Sequence, residues 1–151
     1  MNADQVIIRE AEAEDLAALL VLYRQLNNQS DEKGFSLKQA EAIYLRIGNY
    51  PDYSIYLAEW KQQVVGTFAL LIMDSLGHGG VPAAVLEDVV VSEAHRGLGI
   101  GQQMMTLATA LAREKGCSKF FFSSGIERTQ AHQFYANLGF KQHGYSFYLN
   151  L

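Results

Sequence analysis

Residues 86–101 read LEDVVVSEAHRGLGIG, a β-branched run that passes into a turn with three glycines. Apolar residues then recur at helical spacing over 100–111, and Gly116 follows as a helix stop. The apolar run Phe120-Phe121-Phe122 comes next and is typical of a buried strand. A strand, a helix of about four turns and a second strand form a βαβ unit. This unit predicts two parallel strands joined by a right-handed crossover.

Further strands and helices are predicted on both sides of this unit. Strands are expected at 6–9, 53–59, 63–73 and 145–149. The polar turn Lys61-Gln62 indicates that two of them form an antiparallel hairpin. Helices are expected after Asp15, over 37–47 behind a Ser36–Gln39 capping box, and over 131–138. Together these elements predict an α/β fold with a mixed sheet.

Composition limits the class of protein. A chain of 151 residues is close to the size of one domain, so we expect a single domain over 1–151. Hydrophobic residues make up 49%, enough to bury a core, and the formal net charge of −4 gives no general attraction to nucleic acid. The apolar run 64–73 is about half the roughly 20 residues that a membrane helix needs. Neither nucleic acid nor a membrane is therefore expected as a partner.

Cysteine and histidine usage bears on compartment and metal binding. Cys117 is the single cysteine and cannot form an intramolecular disulfide, and the N-terminal residues lack the features of a signal peptide. We therefore expect a cytoplasmic protein. His78, His95 and His143 show no metal-ligand spacing with one another or with Cys117, so no metal is expected.

The glycine-rich turn lies where a strand passes into a helix. Glycine lets a ligand approach the backbone, and the first helical turn offers unpaired N–H groups to an anion. Arg96 adds a positive charge. A P-loop is excluded because Gln102 and Gln103 follow Gly101, and a dinucleotide fingerprint would need glycine at position 102. An anion site and an ordinary glycine-rich turn both remain open.

Two motifs resemble the GNAT superfamily of acyl-CoA-dependent N-acetyltransferases. The first is Arg96-x-x-Gly99-x-Gly101 behind the strand at 86–91, which looks like the family's pyrophosphate-binding motif. The second, residues 131–140 (AHQFYANLGF), is similar to the family's late helix. The opening at 8–11, followed by a leucine-rich helix, also resembles the family's start. The resemblance implies a mostly antiparallel mixed sheet with a central, splayed parallel pair and about four helices.

The resemblance also implies acetyl-CoA as cosubstrate, bound where the parallel strands splay apart. Backbone groups of Val89 and Val91 would pair with the pantetheine arm, and N–H groups of residues 96–102 would receive the pyrophosphate. The implied cofactor-binding residues are Val89, Val90, Val91, Arg96, Gly97, Leu98, Gly99, Ile100, Gly101, Gln102, Phe134 and Tyr135.

Attack of a neutral amine on a thioester, the reaction that the resemblance implies, needs a proton acceptor and a proton donor. Tyr135 matches the family's general acid and would protonate the departing thiolate. A carboxylate in an apolar strand indicates a wet cleft. The resemblance implies an acid on this strand, and Glu87 is therefore favoured as general base, directly or through water. Successive strand side chains face opposite sides, so Glu87 and Asp88 should not both reach the substrate unless a bulge intervenes. Asp88 as base, and a salt-bridged or exposed role for either carboxylate, remain open.

Two residues of the late-helix region are ambiguous. His132 could relay protons or be hydrogen-bonded structurally. Arg128 stands where many family members carry Asn, and it could reach a phosphate, an acidic substrate group or solvent.

The resemblance implies that the acceptor is a primary amine of a small molecule, attacked in a ternary complex. The first helix pair and the loop at 74–82 would flank it, and Asp31 and Glu32 could attract a cationic amine. Acetylation of a protein lysine or N-terminus is the alternative within enzymes, and a non-catalytic acyl-CoA sensor is the alternative outside them. A monomer and a homodimer are both compatible with the sequence.

Overall fold

The computed structural model describes residues 6–26 and 35–151. The chain divides into two compact units, Met1–Phe121 and Phe122–Leu151. The single domain expected over 1–151 stays a prediction. Asp31 and Glu32, expected to attract a cationic acceptor, lie outside the described residues.

The first unit holds one mixed sheet and three helices in its described residues. Its strands are β1 (Ile7–Glu10), β2 (Tyr53–Trp60), β3 (Gln63–Met73), β4 (Ala83–Val91) and β5 (Lys119–Phe121). Its helices are α1 (Leu16–Leu26), α2 (Leu37–Ile47) and α3 (Ile100–Glu114). The strand order is β1-β2-β3-β4-β5, antiparallel throughout except for the parallel pair β4–β5. The predicted mixed α/β fold and its βαβ unit are confirmed.

Helices α1 and α3 cover opposite faces of the sheet. On one face Leu57 of β2 packs with Leu16 and Leu19 of α1. On the other face Gly66 of β3 lies against α3, because a Cβ added there would come 2.8 Å from the sulfur of Met104. Burying both faces explains why β3 is apolar along most of its length rather than alternating.

Polar contacts fix the starts of α1 and α2. The Arg9 guanidinium lies 2.7 Å from the Asp15 carboxylate and 3.1 Å from that of Glu59, which joins β1, β2 and the entry to α1. The Arg9 hydrogen bond lowers the pKa of Asp15. Before α2, the backbone N–H of Gln39 donates to the Ser36 hydroxyl at 3.2 Å, and the N–H of Ser36 donates to the Gln39 side chain at 2.8 Å. The predicted capping box is therefore confirmed.

The second unit contains α4 (Thr129–Asn137), which corresponds to the helix predicted at 131–138. The strand predicted at 145–149 is not found within this unit. A strand needs a neighbouring strand to complete its hydrogen-bond ladder, and residues 122–151 of this unit contain none. Over the described ranges, 6–26 and 35–151, no helix is long and apolar enough to cross a membrane.

Candidate active site

A β-bulge interrupts β4 at the two acidic residues. Thr67 of β3 pairs with Val90, and Ala69 pairs with Glu87, so β4 contains one extra residue at this point. Asp88 takes a φ of +52°, a left-handed conformation that is unusual for a residue with a side chain. The bulge that would allow both carboxylates to be accessible is therefore present, and both Glu87 and Asp88 are exposed.

Both carboxyl groups of the bulge have a pKa above the ordinary value for their residue type. Partial desolvation raises the pKa of Asp88. Desolvation also raises the pKa of Glu87, and the neighbouring negative charge of Asp88 raises it further. A carboxylate whose pKa is raised binds a proton more readily, which suits a group that accepts one from a substrate.

Two tyrosines share the electrostatic environment of the bulge. Tyr23 of α1 and Tyr53 of β2 both have a raised pKa, mainly through burial and then through the negative charge of Asp88. For Tyr23 the value is about 12. Neither tyrosine stands out as functional in the sequence, because Tyr23 continues the apolar stripe of α1 and Tyr53 begins an apolar strand. For Tyr23, the one indication of a role other than packing is its hydroxyl within an otherwise leucine-rich stripe.

A glycine-rich turn connects β4 to α3 in a conformation that leaves the backbone accessible. Gly99 is the N-cap of α3 with a φ of +80°, and Gly97 has a φ of +76°. A Cβ added at either glycine would meet no atom within 4 Å. The first N–H groups of a helix have no acceptor within the helix, so this turn offers donors to an anion. These features support the anion-site interpretation over the ordinary turn.

The Arg96 side chain makes a hydrogen bond and an ion pair within its own loop. Its Nε donates to the carbonyl oxygen of Val91 at 3.2 Å, and its guanidinium lies 4.0 Å from the carboxylate of Glu93. The Arg96 side chain is still 55% exposed. The structure thus places a cation at the entrance to α3, in the position that the motif predicts.

Within the second unit, Tyr135 lies in an aromatic cluster. Its ring centroid is 4.2 Å from that of Phe122, 5.1 Å from that of Phe134 and 5.8 Å from that of Phe140. Burial in this cluster raises the pKa of Tyr135, and the positive charge of Arg128 opposes that rise. Tyr135 is therefore protonated at neutral pH, as a proton donor must be.

His132 has a structural partner. One of its ring nitrogens lies 2.8 Å from the carbonyl oxygen of Gly125, in the loop before α4. This hydrogen bond favours the structural interpretation of His132 over a proton relay. Arg128 is the N-cap residue of α4 and makes no side-chain capping bond.

The structure thus gathers the predicted site residues into two groups, each within its own unit. Glu87 and Asp88 share β4 with residues 89–91 and are followed by the turn at 96–102. Phe134 and Tyr135 lie together on α4. In the ranges that the structure describes, no group of three His, Cys, Asp or Glu side chains could hold a metal ion.

A cavity of about 430 Å³ lies among β1, α2 and the start of β2. Two carboxylates, Glu10 and Glu12, line it together with the side chains of Tyr44 and Tyr53. Tyr44 donates its hydroxyl proton to the carbonyl oxygen of Ala11 at 2.9 Å. Burial raises the pKa of Tyr44, and the charges of Glu10 and Glu12 raise it further. The cavity therefore has a negative potential, which favours cations.

The profile of the Acetyltransferase (GNAT) family matches residues 16–140. The fold described above thus belongs to a known class of acyltransferase. The chain is a member of the GNAT acetyltransferase family, and it is an enzyme of that kind.

Individual relatives agree with this membership. Glucosamine 6-phosphate N-acetyltransferase of Trypanosoma brucei brucei is 28% identical over 136 residues, which cover 90% of this chain and 89% of that protein. Aminoalkylphosphonate N-acetyltransferase of Salmonella typhimurium is 28% identical over 145 residues, covering 93% and 88%. A solved structure of an Agrobacterium tumefaciens protein assigned as an acetyltransferase is 31% identical, with a TM-score of 0.88 and coverage of 96% and 99%.

Proposed function

We propose that this protein transfers the acetyl group of acetyl-CoA to a primary amine of a small molecule, by direct attack in a ternary complex. The observation that carries the proposal is the order of features along one strand: a bulge with two accessible carboxylates, directly followed by a glycine-capped helix start. This order supplies a proton acceptor next to an anion site on one continuous segment. Acetyl-CoA meets both requirements, because it has an anionic pyrophosphate at one end and a reactive thioester at the other.

The turn after β4 fits a pyrophosphate. Backbone N–H groups of residues 96–102 would donate to it, and the exposed Arg96 guanidinium would add charge. The open space at Gly97 and Gly99 would allow close approach of phosphate oxygens. Backbone groups of Val89 and Val91 are assigned to the pantetheine arm, with Val90 between them turned into the core at 5% exposure.

Replacing Gly99 by Ala should weaken acetyl-CoA binding by about tenfold. An L-residue in the left-handed region costs about 1–2 kcal/mol, which relaxation of the turn would relieve by redirecting its N–H groups. Gly116→Ala is the matched control, because Gly116 also has a positive φ (+75°) and open space around it, but it lies beyond the other end of α3. Calorimetric titration of both variants checks the expectation. Equal affinities in the two variants would contradict the assignment of the turn.

The two proton transfers are assigned to Glu87 and Tyr135. Glu87 takes a proton from the acceptor's ammonium, directly or through a water molecule, and the amine then attacks the thioester carbon. Tyr135 donates its phenolic proton to the sulfur as the carbon–sulfur bond breaks. Its raised pKa keeps the proton in place until the thiolate forms. The phenolate then takes the second proton from the acetylated nitrogen, so that CoA leaves as the thiol and the product is a neutral amide. Asp88 is the alternative base, and its charge adds to the raised proton affinity of Glu87.

A small cationic amine is the acceptor that the first unit fits best. The carboxylates of the bulge and those of the cavity at Glu10 and Glu12 all contribute negative potential. Both named relatives act on small amines that also carry a phosphate or phosphonate group. Among the residues that line the cavity here there is no Lys or Arg, so the cavity itself is not suited to such an anionic group.

An acceptor panel tests the proposed substrate class. Release of free CoA thiol would be followed with diamines, amino sugars, phosphorylated amines, lysine peptides and free N-terminal peptides. We expect the highest kcat/KM for a small amine without phosphate. Faster turnover of peptides would replace the small-molecule acceptor with a protein one. Acetyl-CoA binding with no turnover across the panel would favour the acyl-CoA sensor instead.

A further inference from the structure

A hydrogen bond joins α1 to the segment between β4 and the glycine-rich turn. The side-chain oxygen of Gln25, in the last turn of α1, accepts the backbone N–H of Glu93 at 2.9 Å. The two residues are 68 positions apart in the chain, so the fold and not the local sequence brings them together. The Gln25 side chain is half-buried. The proposed acetyl transfer gives this contact no role.

Two further contacts hold the same segment on the sheet. The backbone N–H of Ser92 donates to the carbonyl oxygen of Val65 in β3 at 2.8 Å. The ring of His95 packs edge-to-face against that of Trp60, at the end of β2, with 5.7 Å between the ring centroids. Together with the contact from α1, these interactions fix the segment to three elements before the turn begins.

The position of Glu93 also bears on the cation at the turn. Its carboxylate lies 4.0 Å from the Arg96 guanidinium, and its carbonyl oxygen accepts the backbone N–H of Arg96 at 3.5 Å. The Arg96 Nε donates to the carbonyl oxygen of Val91 at 3.2 Å. Gln25 is therefore connected through Glu93 to the residue that presents a positive charge at the start of the turn.

The turn itself has little intrinsic order. Gly97 and Gly99 both have a positive φ, and glycine loses more conformational freedom on ordering than any other residue. At the far end, Ile100 is only 2% exposed and anchors the start of α3. A ligand that must order a flexible turn binds less tightly, because the ordering entropy opposes binding. Fixing both ends beforehand reduces this cost, and Gln25 contributes to fixing the first end.

We propose that Gln25 is a positioning residue for acetyl-CoA. By accepting the Glu93 N–H, it holds the segment before the glycine-rich turn in the conformation that receives the pyrophosphate. This inference rests on the proposed acetyl transfer, in which the turn binds the pyrophosphate. Gln25 thus contributes to binding of ligands that carry a pyrophosphate and not to the chemical step, which takes place at the thioester end of the cosubstrate.

Gln25→Met tests the inference because it keeps the length of the side chain and removes the acceptor oxygen. We expect the calorimetric dissociation constant for acetyl-CoA to rise about three- to tenfold, the range for one lost neutral hydrogen bond. KM for acetyl-CoA should rise by a similar factor, while kcat at saturating acetyl-CoA stays within about twofold of wild type. Turnover of S-acetylpantetheine, which has the thioester but no pyrophosphate, should be the same in the variant and in wild type.

Gln39→Met is the matched control. The Gln39 side-chain oxygen also accepts a backbone N–H, that of Ser36 at 2.8 Å, but this bond belongs to the start of α2. The control variant should lose stability as Gln25→Met does, measured as the thermal midpoint, and should bind acetyl-CoA with the affinity of wild type.

The outcomes separate this inference from the proposed function. An acetyl-CoA dissociation constant in Gln25→Met within about twofold of wild type would overturn the inference and leave the proposed function intact. An equal loss with acetyl-CoA and S-acetylpantetheine would also overturn it, because the effect would then not depend on the pyrophosphate. If the wild-type protein binds no acetyl-CoA, the proposed function fails, and this inference fails with it.

Discussion

Tyr135→Phe is expected to lower kcat for acetyl transfer by about 100-fold or more, the usual contribution of a positioned general acid. The thiolate must then leave without a proton from the protein, or take one from water. The phenylalanine ring preserves the tilted contact with Phe122 and the edge-to-face contact with Phe140, so the fold of the second unit should be retained. Acetyl-CoA affinity should also be retained, because the hydroxyl acts only when the sulfur becomes charged.

The measurement is kcat with an amine from the acceptor panel, together with a calorimetric dissociation constant for acetyl-CoA. Tyr145→Phe serves as the control, since its hydroxyl is in the same unit but its side chain is 91% exposed. A kcat equal to that of wild type would remove Tyr135 from the role of general acid. A weakened dissociation constant with normal kcat would reassign it to cofactor binding.

Glu87→Gln is expected to lower kcat/KM at neutral pH by about 100-fold, the low end of what a general base contributes. The loss should shrink as the pH approaches the acceptor's own pKa, because an amine that is already neutral needs no base. In wild type, kcat/KM should fall with decreasing pH as Glu87 becomes protonated. That fall should occur above the ordinary carboxyl pKa of 4.5, because the pKa of Glu87 is raised.

The raised pKa of Glu87 also predicts that its ionised carboxylate lowers the stability of the folded protein, although the same carboxylate supports activity. A carboxyl group whose pKa is higher in the folded state than in the unfolded state disfavours folding when it is ionised. This unfavourable contribution is present at neutral pH and disappears below the unfolded pKa. Glu87→Gln should therefore raise the thermal midpoint at neutral pH while it lowers activity. The neutral side chain of Gln removes the charge that is repelled by Asp88.

Asp88→Asn separates the two candidate bases. If Glu87 is the base, Asp88→Asn should shift the acidic limb of the pH profile to lower pH, because one of the charges that raise the Glu87 pKa is removed. If Asp88 is the base, this variant should lose the acidic limb, and Glu87→Gln should retain it. An unaltered pH profile in both variants would discard the bulge as the source of the base.

Much of the first unit could be predicted from its sequence, because local signals and periodicity agree there. The capping box at Ser36 forms as expected, and the strand, helix and strand around α3 give the parallel pair β4–β5. The stretch at 145–149 shows the limit of this reasoning. Its composition is typical of a strand, but strand formation depends on a partner that the residues themselves do not specify.

The site was less predictable than the fold. The acidic pair within an apolar strand indicated a wet cleft, but the left-handed backbone of Asp88 depends on the register between β3 and β4, which no local pattern encodes. The surroundings of Tyr23 could not be predicted for a similar reason. Its place on the apolar stripe of α1 predicts burial, but the influence of the Asp88 charge on its pKa arises only in the folded chain.

Calorimetric titration of the wild-type protein with acetyl-CoA is the decisive experiment for the proposed acetyl transfer. We expect one binding site with a dissociation constant in the micromolar range, and a dissociation constant about tenfold higher in Gly99→Ala. No detectable heat of binding at millimolar acetyl-CoA, with a folded protein verified in the same sample, would contradict the proposed transfer.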